Sequence, residues 1–225
     1  VSGSAAFLQD TAEESEDDRR LVRNLFSAEQ APKRELLVAT PYLIPLKTGM
    51  ERLRQWRASG VEVKVLVPTL AANNHTAAHS HYKKYRRGIL ESGARLHEYR
   101  HDPSEASRSF ADTPPVRGGF VAFHLKALVI DRRRCFIGSL NLDPRAMAIN
   151  TESGLLVDSP TLAGQLAEIL EDLAKPENAW ELSLDARNKL LWTSATGTRT
   201  SPPARGAKQR VADFFTRMLP VEGQL

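Results

Sequence analysis

Four polar side chains of types that bind and transfer phosphate groups lie within one apolar stretch: His124, Lys126, Ser139 and Asn141. A lysine ammonium holds a phosphate as a point charge, and serine and asparagine add directional donors. An imidazole can attack as a nucleophile or carry a proton near neutral pH. Any one of these residues could be purely structural, such as a core histidine or a lysine that reaches solvent. Four polar groups among apolar residues are harder to explain in this way, because every buried polar atom needs a hydrogen-bond partner. Together they predict phosphoryl or phosphatidyl transfer.

A strand over residues 125–130 is predicted to position the first two side chains. Every residue in that run except Lys126 is apolar, which is typical of a strand buried on both faces. Side chains two apart on a strand share a face, so His124 and Lys126 are expected to point the same way. Asp131 has the opposite parity and ends the strand, which indicates a structural salt-bridge partner rather than an acid or base.

A second strand is predicted over residues 135–138, joined to the first by a turn of three arginines at 132–134. Gly138 would let a backbone or a ligand come close. Ser139 and Asn141 follow it on one face. The polar groups are therefore expected to converge from two strand ends and bind an anion with several acceptor oxygens.

The spacing H-x-K, four residues, D, six residues, G-S-x-N resembles the signature of the phospholipase D superfamily. The chain matches it at His124, Lys126, Asp131, Gly138, Ser139 and Asn141. Residues 40–45, 141–145 with 150–152, and 219–225 are similar to bacterial cardiolipin synthases. The resemblance covers most of residues 35–225 and implies the C-terminal half of such an enzyme.

The resemblance implies a mechanism and a role for each site residue. His124 would be one of two imidazoles, of which one attacks phosphorus to form a phosphohistidine and the other protonates the leaving oxygen. Lys126 and Asn141 would hold the phosphoryl oxygens. Glu152 would accept a hydrogen bond from an imidazole Nδ1, within this half or across an interface.

Substrate binding is assigned to Ser139, as a further donor, and to Tyr42, in the double-proline loop after the strand at 35–40. The resemblance implies no metal and no organic cofactor. His75 and His79 have helical i, i+4 spacing, but no carboxylate lies nearby in sequence, so a metal site is not predicted there.

Each active site of the family uses two H-x-K motifs, and this sequence offers one. His81-Tyr82-Lys83 also reads H-x-K, but Gly88 follows where the spacing requires a different residue, the pattern is helical, and no Gly-Ser follows. We therefore expect a missing N-terminal half, or a second copy of the chain, to supply the other motif. The first residues, which lack an initiator Met, favour the missing half.

Composition restricts the choice of partners only loosely. The 225 residues carry 31 basic and 27 acidic side chains, a formal charge of +4. Mild basicity suits an anionic lipid headgroup or a nucleic acid. The single cysteine, Cys135, is interpreted as core packing and rules out an internal disulfide. No run of 18 apolar residues and no signal peptide are visible.

The predicted fold is α/β, with a mixed, largely parallel β-sheet flanked by helices on both faces, a C-terminal hairpin and a helical tail. The proposed divisions are a linker and short helix at 1–30, the phospholipase D-like domain at 31–175, and the hairpin and basic tail at 176–225. Strands are expected at 35–40, 61–67, 94–99 and 154–157, helices at 47–59 and 161–173, a long loop at 100–119 and a hairpin at 179–193.

Two helices have alternative interpretations. The helix predicted at 75–92 is interpreted as an amphipathic surface helix with a basic arc (Lys83, Lys84, Arg86, Arg87). In the alternative, His75, His79 or that arc lines the substrate channel. The basic helix predicted at 208–219 either docks on the protein or lies in a membrane surface, with Phe214, Phe215, Met218 and Leu219 among the acyl chains. Residues 197–206 are predicted to be flexible.

Three functional hypotheses follow. The first is a phosphatidyltransferase that makes cardiolipin from phosphatidylglycerol and a second phospholipid, peripheral to the bacterial cytoplasmic membrane, with phospholipids and an anionic membrane surface as partners. The second is a homodimeric nuclease, in which the arginines at 132–134 and the basic helix contact phosphates. Nucleic acid is the less favoured partner, because no aromatic-interleaved basic stretch is present. The third is a non-catalytic half that completes another chain's site.

Overall fold

The computed structural model describes residues 2–11, 20–111, 118–216 and 218. Its strands are β1 (Ser4–Gln9), β2 (Glu35–Ala39), β3 (Glu62–Pro68), β4 (Arg95–Tyr99), β5 (Ala127–Ile130), β6 (Arg134–Gly138), β7 (Ser153–Asp158), β8 (Ala179–Leu184), β9 (Leu190–Ser194) and β10 (Gly197–Arg199). Its helices are α1 (Arg20–Leu25), α2 (Leu46–Ala58), α3 (Thr76–Tyr82), α4 (Arg86–Glu91), α5 (Glu105–Ala111), α6 (Pro144–Ala148), α7 (Pro160–Leu173) and α8 (Ala207–Thr216).

These strands form one open mixed sheet in the order β1-β7-β6-β5-β2-β3-β4-β8-β9-β10. The α/β prediction with a mixed sheet is confirmed, and the β2-α2-β3 unit pairs in parallel as expected. Parallel pairing is narrower than predicted, because it is confined to β2, β3 and β4. The other strand pairs are antiparallel. Some of them, such as β5–β6 and β8–β9, are hairpins, which connect strands without a helical crossover.

Helices cover both faces of the sheet, each over its own apolar cluster. Helices α1, α2, α4 and α6 pack on one face through residues such as Leu25, Leu53, Ile89 and Ala146. Helix α7 covers the opposite face. Its buried side chains recur at helical spacing (Ala163, Leu166, Ala167, Leu170, Leu173). None of the helices in the described ranges is long and apolar enough to span a membrane.

The N-terminal segment differs from the predicted linker. Residues 4–9 form β1, which pairs antiparallel with β7 at the sheet edge. Asp10, one of the acids that suggested a solvated linker, is buried and accepts a hydrogen bond from the Leu21 backbone N–H at 3.0 Å. The composition of this segment did not predict a strand, because the paired residues of β7 lie 144 to 154 positions away in the chain. The remaining acids of the predicted linker lie outside the described residues.

The helix predicted at 75–92 is split into α3 and α4, and its basic arc is not all exposed. Arg86 is buried, and its Nε donates to Glu98 Oε1 at 2.6 Å. Glu98 also accepts hydrogen bonds from the Tyr82 hydroxyl and from Trp192 Nε1. A buried charge is tolerated when it is paired and hydrogen-bonded, which a periodicity argument cannot anticipate.

The C-terminal elements extend the sheet. The predicted hairpin is confirmed as β8 and β9, and β8 joins the edge of β4. Residues 197–199, predicted to be flexible, form β10 against β9. The predicted tail helix is confirmed as α8, although Leu219 and the residues after it lie outside the described part of the chain. Helix α5 occupies part of the predicted loop at 100–119.

Asp131 ties the β5–β6 turn to the start of β2. We predicted a salt bridge, but its carboxylate instead accepts the backbone N–H groups of Lys33, Arg34 and Glu35, the latter two at 2.7 and 2.9 Å. Partial burial alone would raise the pKa of Asp131, but these hydrogen bonds lower it below its ordinary value. The residue also adopts a left-handed backbone, φ 55°, which aspartate tolerates.

We predict that Asp131→Ala lowers the free energy of unfolding by about 1–2 kcal/mol at pH 7, because three backbone donors lose a charged acceptor that is still partly hydrated. The native pKa is depressed, so this contribution is present above about pH 4 and disappears as the pH falls further. Urea unfolding at pH 7 and pH 3 measures both effects.

Two variants serve as controls for that measurement. Asp131→Asn tolerates the same backbone conformation and should be less damaging than Asp131→Ala. Glu51→Ala removes an exposed ion pair with Lys47 and should change stability by less than about 0.5 kcal/mol. Equal losses for Asp131→Ala and Glu51→Ala would contradict the anchoring role.

Candidate active site

Four strands, β2, β5, β6 and β7, bring their ends together at one end of the sheet. Ala127, the first residue of β5, pairs with Ala39 at the end of β2 and with Ile137 near the end of β6. The segment before β5 therefore lies beside the segments that follow β2 and β6. The start of β7 joins them, because Gly154 pairs with Gly138. This register places the predicted site residues at one edge.

His124 and Lys126 lie just before β5 rather than within it. Residues 121–126 have no regular secondary structure, and backbone hydrogen bonds fix them, including Phe123 N–H to Ala72 O at 3.0 Å. Phe123 is buried while His124 is exposed, so the side chains still alternate as a strand would. Lys126 Nζ lies 3.4 Å from the His124 carbonyl oxygen, which keeps the ammonium beside the imidazole.

The electrostatics favour a neutral imidazole next to a cation. Partial desolvation of the ring and the nearby Lys126 ammonium both lower the pKa of His124. Partial burial lowers the pKa of Lys126, against the opposing charges of Glu152 and Asp143. The neutral imidazole is the form that can attack phosphorus or take up a proton.

Tyr42 lies between two histidines at the mouth of the site. Its ring contacts His124 edge to face at 5.9 Å between centroids and His75 at 5.5 Å. Its hydroxyl donates to Asn74 Oδ1 at 2.9 Å. His75 is thus brought to the site, as one interpretation of the 75–92 segment proposed, whereas His79 is buried inside the protein.

Ser139 and Glu152 form a pair in the described structure. The Ser139 hydroxyl donates to Glu152 Oε2, and Asn150 Nδ2 donates to Glu152 Oε1 at 3.3 Å. Glu152 is buried, and within the described residues it makes no hydrogen bond to His124. Its carboxylate therefore orients Ser139 in this structure.

Asn141 reaches the site with one of its atoms unsatisfied. Its Oδ1 is buried and has no hydrogen-bond partner in the described part of the structure. The backbone beside it is rigid, because Leu142 N–H donates to Tyr42 O at 3.1 Å and Ile44 N–H donates to Leu142 O at 2.7 Å. A buried amide oxygen without a donor is costly, so this position favours a ligand or partner that supplies one.

Asp143 is a site residue that the sequence analysis did not assign. It caps α6 by accepting the Ala146 N–H at 2.8 Å, with Pro144 at the first helical position. Burial raises the pKa of Asp143, and its charge acts on Lys126 and Tyr42. The Asp-Pro pair at a helix start was the available signal in the sequence.

The two residues predicted to be structural add no side chain to the site, although the Gly138 backbone N–H donates to Lys126 O at 3.5 Å. Asp131 lies at the far end of β5, four residues past its first residue. A Cβ added to Gly138 would approach Gly154 Cα to 2.7 Å and the Ser153 carbonyl oxygen even more closely. The glycine therefore lets β6 and β7 pack together, and the close approach there is by backbone rather than by a ligand.

Comparisons with known proteins identify relatives of most of the chain. The family model described as "Cardiolipin synthase, PLD-like domain" matches residues 22–174. Cardiolipin synthase C of Escherichia coli K12 is 30% identical over 206 residues, which cover 90% of this chain and 43% of that protein. Minor cardiolipin synthase ClsB of Bacillus subtilis 168 is 30% identical over 158 residues, 69% of this chain and 34% of that protein. The chain thus spans less than half the length of these relatives.

Solved structures share the fold. The phospholipase D family member Nuc from Salmonella typhimurium aligns with a TM-score of 0.53 at 17% identity, over 76% of this chain and 93% of that one. Phosphatidylserine synthase from Haemophilus influenzae Rd KW20 aligns with a TM-score of 0.52 at 18% identity, over 76% of this chain and 39% of that one. At these identities the likeness shows the fold alone.

We predict that replacing Lys126 by Met raises the pKa of the His124 imidazole toward the ordinary value of about 6.5, because the nearby ammonium is one of the two causes that lower it. An NMR titration of the histidine rings, with His124→Gln to assign the resonance, measures the shift. Lys189→Met, in the distant β8–β9 turn, should leave it unchanged. An unmoved His124 midpoint in Lys126→Met would contradict the coupling.

Proposed function

Because the chain belongs to the phospholipase D-like cardiolipin synthase family, we propose that it supplies half of an active site that transfers phosphatidyl groups to an alcohol. The reaction assigned to the complete site is cardiolipin synthesis from phosphatidylglycerol and a second phospholipid. The single observation that supports this most is the exposed His124 imidazole held beside the Lys126 ammonium at the strand ends.

The transfer takes place in two displacements at phosphorus. One imidazole, assigned here to either His124 or its counterpart, forms a bond to phosphorus while the ester oxygen leaves with a proton from the other imidazole. The second imidazole then removes the proton of the incoming alcohol, whose oxygen displaces the histidine and restores it. The Lys126 ammonium and the Asn141 amide stabilise the charge on the phosphoryl oxygens in both steps.

The second H-x-K motif comes from outside the residues that form this site. The rejected motif at 81–83 lies on α3 and its C-cap, and His81 is buried. The exposed His124 ring leaves room for another half, or another copy, to approach the site. We propose that an N-terminal half supplies the motif, with a homodimer as the alternative arrangement.

The geometry favours the lipid reaction over the nuclease alternative. The arginines at 132–134 would contact nucleic acid in a nuclease, but they follow Asp131 at the end of β5 away from the site. Arg132 pairs with Glu35 and Glu171, and Arg133 pairs with Asp158. The charges of Arg132 and Arg133 are therefore already paired with carboxylates of the protein.

Helix α8 supports a membrane-bound location because its polar side faces the protein. Asp213 is buried and accepts hydrogen bonds from Lys83 and His79, and Gln209 Nε2 donates to Leu70 O at 2.6 Å. The apolar side chains point outward and are more than half exposed (Val211, Phe214, Phe215, Met218). Both sequence interpretations of the helix therefore contribute, and we propose that this outward face enters an anionic bilayer.

We predict that His124→Ala reduces cardiolipin formation by more than about 100-fold, the lower end of what one acid–base group contributes. The measurement is product analysis by mass spectrometry with the full-length protein, supplied with phosphatidylglycerol alone and then with phosphatidylethanolamine added. His101→Ala, a histidine outside the site, should retain activity. Substantial turnover by His124→Ala would remove this residue from the mechanism.

We predict that the double variant Phe214→Ser/Phe215→Ser weakens binding to phosphatidylglycerol-containing vesicles by more than about tenfold. Two aromatic side chains that enter the bilayer contribute well over the 1.4 kcal/mol that this factor represents. Vesicle co-sedimentation measures the change. Phe7→Ser is the matched control. Phe7 lies on the edge strand β1, away from α8, and is 64% exposed, close to the 60% exposure of Phe214. Equal effects of the two substitutions would argue against α8 as the membrane face.

A further inference from the structure

The face of the sheet opposite α7 contains a cavity of about 720 Å³ that the proposed chemistry does not use. Strands β2 and β3 form one wall, and helices α1, α2 and α6 form the other. Its lining is apolar except for Thr48 and Arg52. The volume falls within the range of about 300–1,000 Å³ for small-molecule sites.

The cavity opens at the same end of the sheet as the site. Helix α2 begins directly after the Tyr42 loop, and α6 begins three residues after Asn141. Leu46 and Ile149, at the start of α2 and just past α6, line the cavity and are 40% and 52% exposed, so they form an apolar rim. The lining then continues to Trp56, ten residues along α2, which is about 15 Å at 1.5 Å per residue.

The site and the cavity share their dividing wall. Tyr42 belongs to the site and the adjacent Leu43 lines the cavity. Asn141 belongs to the site and the adjacent Leu142 lines the cavity. Leu43 and Leu142 form a parallel bridge, so the two segments run side by side. A ligand with a phosphate on one side of this wall could pass an apolar tail over the rim into the other side.

We propose that this cavity binds one acyl chain of the phospholipid whose phosphate is held at His124 and Lys126; the proposal rests on the function proposed above. An acyl chain matches the cavity in three respects: the lining is apolar, the shape is elongated along α2, and the mouth lies at the phosphate end. A methylene group occupies a volume close to that of a water molecule in the liquid, about 30 Å³. The cavity therefore has room for one long acyl chain.

Trp56 provides an internal probe of the cavity. The chain's other two tryptophans, Trp180 and Trp192, are buried near β4 and do not line it. A lysophosphatidylglycerol with a dibrominated stearoyl chain, added below its micelle concentration, should quench Trp56 fluorescence, because bromine quenches on contact. The unbrominated lipid should not quench. Trp56→Phe should leave only fluorescence that the brominated lipid does not change.

Substitutions by phenylalanine on α2 and α6 test whether the acyl chain enters through the mouth of the cavity. Thr48→Phe narrows the mouth and should weaken the quenching titration at least tenfold. Arg54→Phe adds the same side chain at an exposed position of α2 that does not line the cavity, and should have no effect. Ala148→Phe narrows the mouth from α6 and should act like Thr48→Phe. Unchanged titrations for both narrowing variants would overturn the proposal.

A second measurement separates this proposal from the proposed function. In the full-length protein, His124→Ala should lose phosphatidyl transfer but keep the Trp56 quenching. Transfer without any quenching in the wild-type protein would overturn the acyl-chain site and leave the function standing. Quenching without transfer would support the lipid site and refute the function.

Discussion

The register of β5 is the constraint on which the site depends. This four-residue strand lies between β2 and β6, and its first residue, Ala127, pairs with Ala39 and Ile137. A shift of one residue would turn each side chain to the other face and move His124 away from Tyr42. Asp131, at the far end, fixes the register by accepting hydrogen bonds from three consecutive backbone N–H groups at the start of β2. A residue of the signature outside the site thus positions the residues inside it.

The sequence predicted the placement of His124, Lys126 and Asn141 at neighbouring strand ends, because the residues between them form a local hairpin whose geometry is set by neighbouring residues. Elements that depend on distant residues were not predicted. The strand β1 was missed because its pairing is long-range and its residues carry no alternation. Arg86 was wrongly predicted to lie on the exposed arc for a related reason. Only the fold brings it to Glu98, and this pairing allows the charge to be buried.

A buried polar chain links the outward face of α8 to the site. Arg86 donates to His79 Nε2 at 3.0 Å, so His79 carries its proton on Nδ1 and donates it to Asp213 on α8. These contacts set which side of α8 faces inward, and therefore expose Phe214 and Phe215. Helix α3, which carries His79, is capped at its N-terminus by His75, and His75 lies beside Tyr42. The proposed membrane face and the site are thereby positioned by the same short helix.

Exposure of His124 determines what a second half must contribute beyond another histidine. In the proposed mechanism the phosphohistidine can react with an alcohol or with water, and water is far more abundant. An imidazole as exposed as His124 leaves that intermediate open to hydrolysis. The groups proposed to hold the anion, Lys126 and Asn141, already lie within this chain. In this mechanism the surface of the second half has to cover the site and exclude water. How closely it fits over Tyr42 and His124 then decides between transfer and hydrolysis.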